Sequence, residues 1–124
     1  MGNRHFALLV LFGCALLAGG CFSRYLKLPE DPVKALGSDD PSIVALAALA
    51  VSRSADNAQK RAALQPLCKL LKHRDPLVRS AAARALRKIT GRDLGYEPFV
   101  DPYEQEDLIG KWQDLADRLL EESR

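Results

Sequence analysis

The pattern of apolar and polar positions divides the chain into an apolar opening and a set of helix-period segments. Phe6 to Ala18 is apolar except for Gly13, follows a short basic start of Arg4 and His5, and ends in Gly19-Gly20-Cys21. A basic start, about a dozen apolar residues and a small-residue exit predict a secretory signal peptide. A spanning helix needs roughly 20 apolar residues, a length this stretch reaches only by counting three glycines and a cysteine. Further along, Leu64, Leu67, Cys68 and Leu71 share one face of a helix predicted over residues 57–72. Alternating runs rich in Val, Ile, Thr and Tyr are nearly absent, while alanine and leucine favour helix. The expected fold class is all-α.

Two segments align at an offset of 35 residues: Asp40-Pro41-Ser42-Ile43-Val44-Ala45-Leu46-Ala47-Ala48-Leu49-Ala50-Val51 and Asp75-Pro76-Leu77-Val78-Arg79-Ser80-Ala81-Ala82-Ala83-Arg84-Ala85-Leu86. Each aspartate can cap a helix by accepting free backbone N–H groups. Each proline then takes the first helical position, where a missing N–H costs nothing. Ile43/Val78, Ala47/Ala82, Ala50/Ala85 and Val51/Leu86 are expected to share one phase, with the alanines allowing a neighbouring helix close. Pro66 is expected to kink the preceding helix after two turns.

These features resemble the HEAT-repeat family, in which a kinked first helix is followed by a turn and a second helix beginning Asp-Pro-x-Val-Arg. Leu64-Gln65-Pro66-Leu67 stands at the place of the proline-bearing first helix. Asp75, Pro76, Val78, Arg79, Ala82, Ala85 and Leu86 fit the second. The resemblance covers residues 57–90 fully and the earlier unit only in its second helix, because Val44 replaces the arginine and the upstream helix, about 31 to 37, is stunted. A terminal unit with no neighbour to receive the arginine suits that departure. Periodic alanines by themselves also fit an ordinary helical bundle; the matched Asp-Pro caps and the upstream proline favour the repeat.

The carboxy-terminal third changes character. Thr90-Gly91-Arg92-Asp93-Leu94-Gly95-Tyr96-Glu97-Pro98 reads as a C-cap followed by an extended piece. It resembles a segment that closes short bacterial HEAT-like arrays, Thr-Gly-x-Asp-(Leu or Phe)-Gly-Tyr ahead of a Trp-bearing helix. Asp101-Pro102 then opens another capped helix, with Leu108, Trp112, Leu115 and Leu119 as its seam, widened by Ile109, Ala116 and Leu120. Tyr96 and Trp112 are expected to seal the open end of the stack with aromatic area. The whole is thus expected to be a short HEAT-like α-solenoid of antiparallel helix pairs, closed by an aromatic C-terminal cap helix.

Leu16-Leu17-Ala18-Gly19-Gly20-Cys21 resembles a bacterial lipobox, in which the cysteine thiol is alkylated by diacylglycerol and the chain is cut just before it. Small residues ahead of the cysteine let the backbone enter a narrow peptidase cleft, and the thiolate supplies the nucleophile. Leu11-Phe12-Gly13-Cys14 is a rival, but it would leave too short an apolar core and strand Ala15 to Leu17 in the mature protein. The resemblance implies Cys21 as the lipidation site. It also implies a protein held on the exported side of a cell membrane or outer membrane, because each buried methylene adds about 0.8 kcal/mol and two or three chains exceed what reversible binding needs. Phe22 is not the aspartate that retains enterobacterial lipoproteins at the inner membrane.

The expected organisation is therefore a signal peptide over 1–20, a lipid-anchored tether over 21–30, HEAT-like repeats over 31–92, and a loop with capping helix over 93–124. Cleavage leaves 104 residues, 21 to 124, enough for one small domain. Composition adds one more feature, a charge split. Arg53 to Arg92 holds eleven Lys/Arg against Asp56 and Asp75, whereas Asp93 to Arg124 holds three basic against ten acidic residues. The overall charge of +2 hides this. The basic face, led by Arg79, Arg84, Arg87 and Lys88, is the expected partner-binding surface. It could alternatively lie against anionic headgroups or be neutralised by the acidic helix.

Catalytic patterns are not found in the sequence. His73 is the single histidine after the leader, a zinc site needs about four ligands, and Cys68 falls in a buried phase. No G-x-S-x-G, H-E-x-x-H or phosphate-loop motif is present, so no enzyme activity, metal or cofactor is expected. The expected function is a non-catalytic, membrane-anchored protein-interaction module of the bacterial cell envelope. The alternative is a structural lipoprotein that self-associates through its basic and acidic halves. The expected partners are membrane lipid and an envelope protein, not nucleic acid.

Overall fold

The computed structural model describes residues 29–124; the leader, Cys14, Cys21 and most of the tether lie outside them. The described residues form α1 (Pro32–Ala35), α2 (Pro41–Arg53), α3 (Asn57–Leu70), α4 (Pro76–Thr90), a 3-10 turn (Pro102–Gln105) and α5 (Glu106–Glu122). No strand occurs among them, and none of these helices is long and apolar enough to cross a membrane.

Local sequence sets the helix starts. Asp40 accepts from the Ser42 N–H at 2.9 Å and Asp75 from the Leu77 N–H at 2.9 Å. Asp31, Asp56 and Asp101 cap in the same way, so the aspartate device is used at five starts. Prolines follow the cap at 32, 41, 76 and 102. The last of these opens a 3-10 turn before α5 begins, so the final helix starts later than its aspartate suggests. At the other end of α4, Gly91 takes a left-handed φ of 69° and donates to the Arg87 carbonyl at 2.8 Å, a conformation that favours glycine. α3 continues through Pro66. The carbonyl that loses its donor there is that of Ala62, an exposed residue of the helix.

α2 packs along α4, and α3 packs against both α4 and α5. Ala47, Ala48, Ala82 and Ala83 are fully buried, and their small side chains let the helices that bear them lie close. The core continues through Leu64, Leu67, Cys68 and Leu71 of α3 onto Ile109, Trp112, Leu115 and Ala116 of α5. Leu108, Leu119 and Leu120 stand at its margin, half-buried.

The phase shared by the two units holds at Ala47/Ala82 and Val51/Leu86, slackens at Ala50, which is half-buried where Ala85 is buried, and fails at one pair. Val78 is buried while Ile43 is 40% exposed. In the first turn of α2 it is Val44, 1% exposed, that faces the core.

Candidate functional site

The basic residues of α4 separate into two groups once the chain is folded. Arg84 and Lys88 lie one turn apart and are exposed, on the same stripe as Leu77, which is 66% exposed. Ser42, Ile43, Leu49 and Arg53 are the exposed residues of the neighbouring α2.

Arg79 and Arg87 do something else. Arg79 is only 7% exposed, which corrects its expected place on a partner-binding face. Its Nε donates to the Pro98 carbonyl at 2.8 Å, and its Nη1 donates to the His73 and Arg74 carbonyls at 2.7 and 3.1 Å. The guanidinium therefore closes the α3–α4 turn and ties the downstream segment to it. Arg87, half-buried, donates from Nη2 to the Tyr96 carbonyl at 2.7 Å and pairs with Asp93 at 3.2 Å. Two arginines two turns apart thus hold the extended segment 96–98 against α4. Asp93 is exposed, and the Gly95 N–H, followed by Arg87, holds its carboxyl below the usual carboxylate range.

Between these two attachments Tyr96 turns inward. It is fully buried, and its hydroxyl donates to the Leu71 carbonyl at 2.5 Å. Burial raises the pKa of this phenol, and nearby Arg79 opposes the shift. Gln105 is a positioning residue that the sequence gave no reason to single out. It is buried, accepts from the Glu97 N–H at 2.7 Å and donates to the Glu97 carbonyl at 2.8 Å. Trp112 is buried with its indole N–H unbonded.

The other candidate groups are structural in their contacts. His73 accepts from the Asp75 N–H through Nδ1 at 3.0 Å. Cys68 is buried, with its thiol 3.6 Å from the Trp112 carbonyl. Burial, then the negative charge of Asp117, pushes the thiol pKa up to about 12. Because the thiolate is the reactive form, Cys68 is expected to resist alkylation at pH 8 while folded and to react rapidly in denaturant. Fast native labelling by a maleimide reagent would contradict this burial. Among the described residues no group of three His, Cys, Asp or Glu is placed to hold a metal ion.

A family model of HEAT repeats matches residues 29–98. The chain belongs to the HEAT-repeat family. The match runs past residue 92 and so takes in the segment held by Arg79 and Arg87. HEAT repeats are typically non-catalytic scaffolds that mediate protein interactions. No curated protein and no solved structure matches the chain.

Proposed function

We propose that the mature chain is a non-catalytic protein-interaction module of the bacterial cell envelope, anchored to membrane lipid through acylated Cys21. In this reading residues 31–92 are antiparallel helix pairs of a short solenoid, and Tyr96 and Trp112 close its carboxy-terminal end. The observation that carries the reading is the division of labour on α4. Arg79 and Arg87 are taken up by backbone carbonyls, whereas Arg84 and Lys88 face solvent beside exposed Leu77. A surface of mixed apolar and cationic side chains on a rigid helix suits a protein partner with acidic groups. The lipobox-like run ending in Cys21 supports the anchor.

The test has two arms. Metabolic labelling with an alkynyl palmitate should mark the wild-type chain and leave Cys21→Ser unmarked. Crosslinking in intact cells should capture one envelope protein, and Arg84→Glu with Lys88→Glu should reduce that capture at least tenfold. Unchanged capture by the double variant removes this face from the proposal.

A second reading, self-association through the basic and acidic halves, has its own supporting observation. Arg87–Asp93 is the one ion pair among the described residues, so direct pairing within the chain neutralises little of the charge split. Dimers at low salt that dissociate at high salt would favour this reading, since exposed charges are screened beyond about 10 Å at 0.1 M.

A further inference from the structure

α2 is apolar almost all the way round. Within Pro41–Arg53 only Ser42, Ser52 and Arg53 are polar. At about 100° per residue, Val44, Ala47, Ala48 and Val51 form the arc that enters the core. Ile43, Leu46, Leu49 and Ala50 form the opposite arc, where Ile43 and Leu49 are exposed and Leu46 and Ala50 are half-buried. A helix that is apolar on every side is normally enclosed, whereas α3, α4 and α5 each turn several charged residues to water. The outer arc of α2 therefore calls for a cover.

The chain enters the described residues on this same side. A groove of about 370 Å³ is lined by Pro29, Glu30 and Pro32 of the entering segment and by Leu49, Ala50 and Arg53 of α2. The seven residues before Pro29, 22–28, include Phe22, Tyr25, Leu26 and Leu28. A spacer needed only for reach is served by glycine, serine, proline or charge. Large apolar side chains gain instead from being covered. The reach is sufficient. From Ala50 back to Ile43 is about 10 Å along the helix axis, and seven residues span about 25 Å extended or about 10 Å as a helix.

We infer that residues 22–28 dock along the outer arc of α2, from Pro29 past Leu49 and Leu46 towards Ile43. An occupant joined to the wall of its own groove has little translational freedom to lose on docking and a high effective concentration. A second copy or another protein has neither advantage. Charge points the same way. Glu30 stands at one end of the arc and exposed Asp39 and Asp40 at the other, with Arg53 its single cation. Arg24 and Lys27 are the only charged residues of the segment and suit those carboxylates. A bilayer is the competing occupant, and the same carboxylates disfavour it, because an anionic leaflet repels them. The contact goes beyond the interaction-module reading and does not require acylation. Where Cys21 carries lipid, docking leaves no free spacer, so the Ile43 end of α2 is held at the membrane.

The test is photocrosslinking of the full chain in cells, with p-benzoylphenylalanine in place of Leu49. After irradiation the chain should stay monomeric, and mass spectrometry of its peptides should place the adduct within residues 22–28. The same group in place of Asp114, on α5, should give no adduct there. Leu26→Ser with Leu28→Ser should lower the adduct yield at least tenfold while the circular dichroism spectrum stays that of wild type. An adduct to a second copy, to another protein or to lipid overturns the inference. So does the absence of any adduct in residues 22–28, an equal yield from position 114, or an unchanged yield in the double-serine variant. Failure of palmitate labelling removes the anchor and leaves this result standing, so the two readings fail separately.

Discussion

Trp112→Ala should lower the free energy of unfolding by about 3–5 kcal/mol, the range for truncating a large buried aromatic. Trp112 is the largest fully buried side chain, and it joins α5 to the α3 face made by Leu64, Leu67, Cys68 and Leu71. The loss combines the burial of the ring with the cavity it leaves between two helices that pack on each other. A domain of this size has roughly 5–15 kcal/mol in total, so the variant should melt upwards of roughly 15 °C lower. Trp112→Phe should cost less, since it keeps most of the ring and removes an indole N–H that has no acceptor. Urea unfolding followed by near-ultraviolet circular dichroism measures both. A Trp112→Ala variant within 1 kcal/mol of wild type would show that α5 contributes little to the core.

The second large effect is expected at Arg79. Arg79→Met keeps the unbranched stem of the side chain and deletes three hydrogen bonds from a charged donor, each worth about 1.5–3 kcal/mol. Methionine packing returns part of this, and the expected net loss is about 3 kcal/mol. The loss should also be local first. With the Pro98 carbonyl released, hydrogen exchange at Glu97 and Val100, whose N–H groups are bonded to Gln105 and Glu97, should rise before that of α3. Arg87→Met should cost less, because its guanidinium is half exposed and part of its bonding is a surface ion pair with Asp93. If Arg79→Met and Arg87→Met lose equal stability, burial is not what gives Arg79 its weight.

The elements that were legible in the sequence are those fixed by neighbours in the chain. Asp40 and Asp75 announce helix starts because cap and helix lie within three residues, and the apolar spacing of Leu64, Leu67, Cys68 and Leu71 reports a face directly. Ile43 departs from its expected phase because the core-facing position of that turn is the adjacent Val44, a choice between two β-branched neighbours that tertiary packing makes. Arg79 and Arg87 read as surface charges for a similar reason: nothing in their spacing says that carbonyls from residues 73, 74, 96 and 98 will converge on them. Gln105, Phe99 and Tyr103 lie in proline-punctuated, aperiodic stretches, where pattern carries no orientation. HEAT-repeat membership, by contrast, follows from local motifs, and the family match agrees with it.

The two arginine attachments on α4 have a further consequence for which mutations the chain tolerates. Both grip carbonyl oxygens, at Tyr96 and Pro98, so each arginine recognises the path of the main chain, while Asp93 and Tyr96 add the two side-chain attachments. Exposed Glu97 is thereby free to vary, while Leu94, packed against the core, and Gly95, whose φ of 81° sets the bend, have little latitude. The stretch joining the repeats to the last helix is a strap buckled at two backbone points, and its tolerance for change lies at the exposed positions between them.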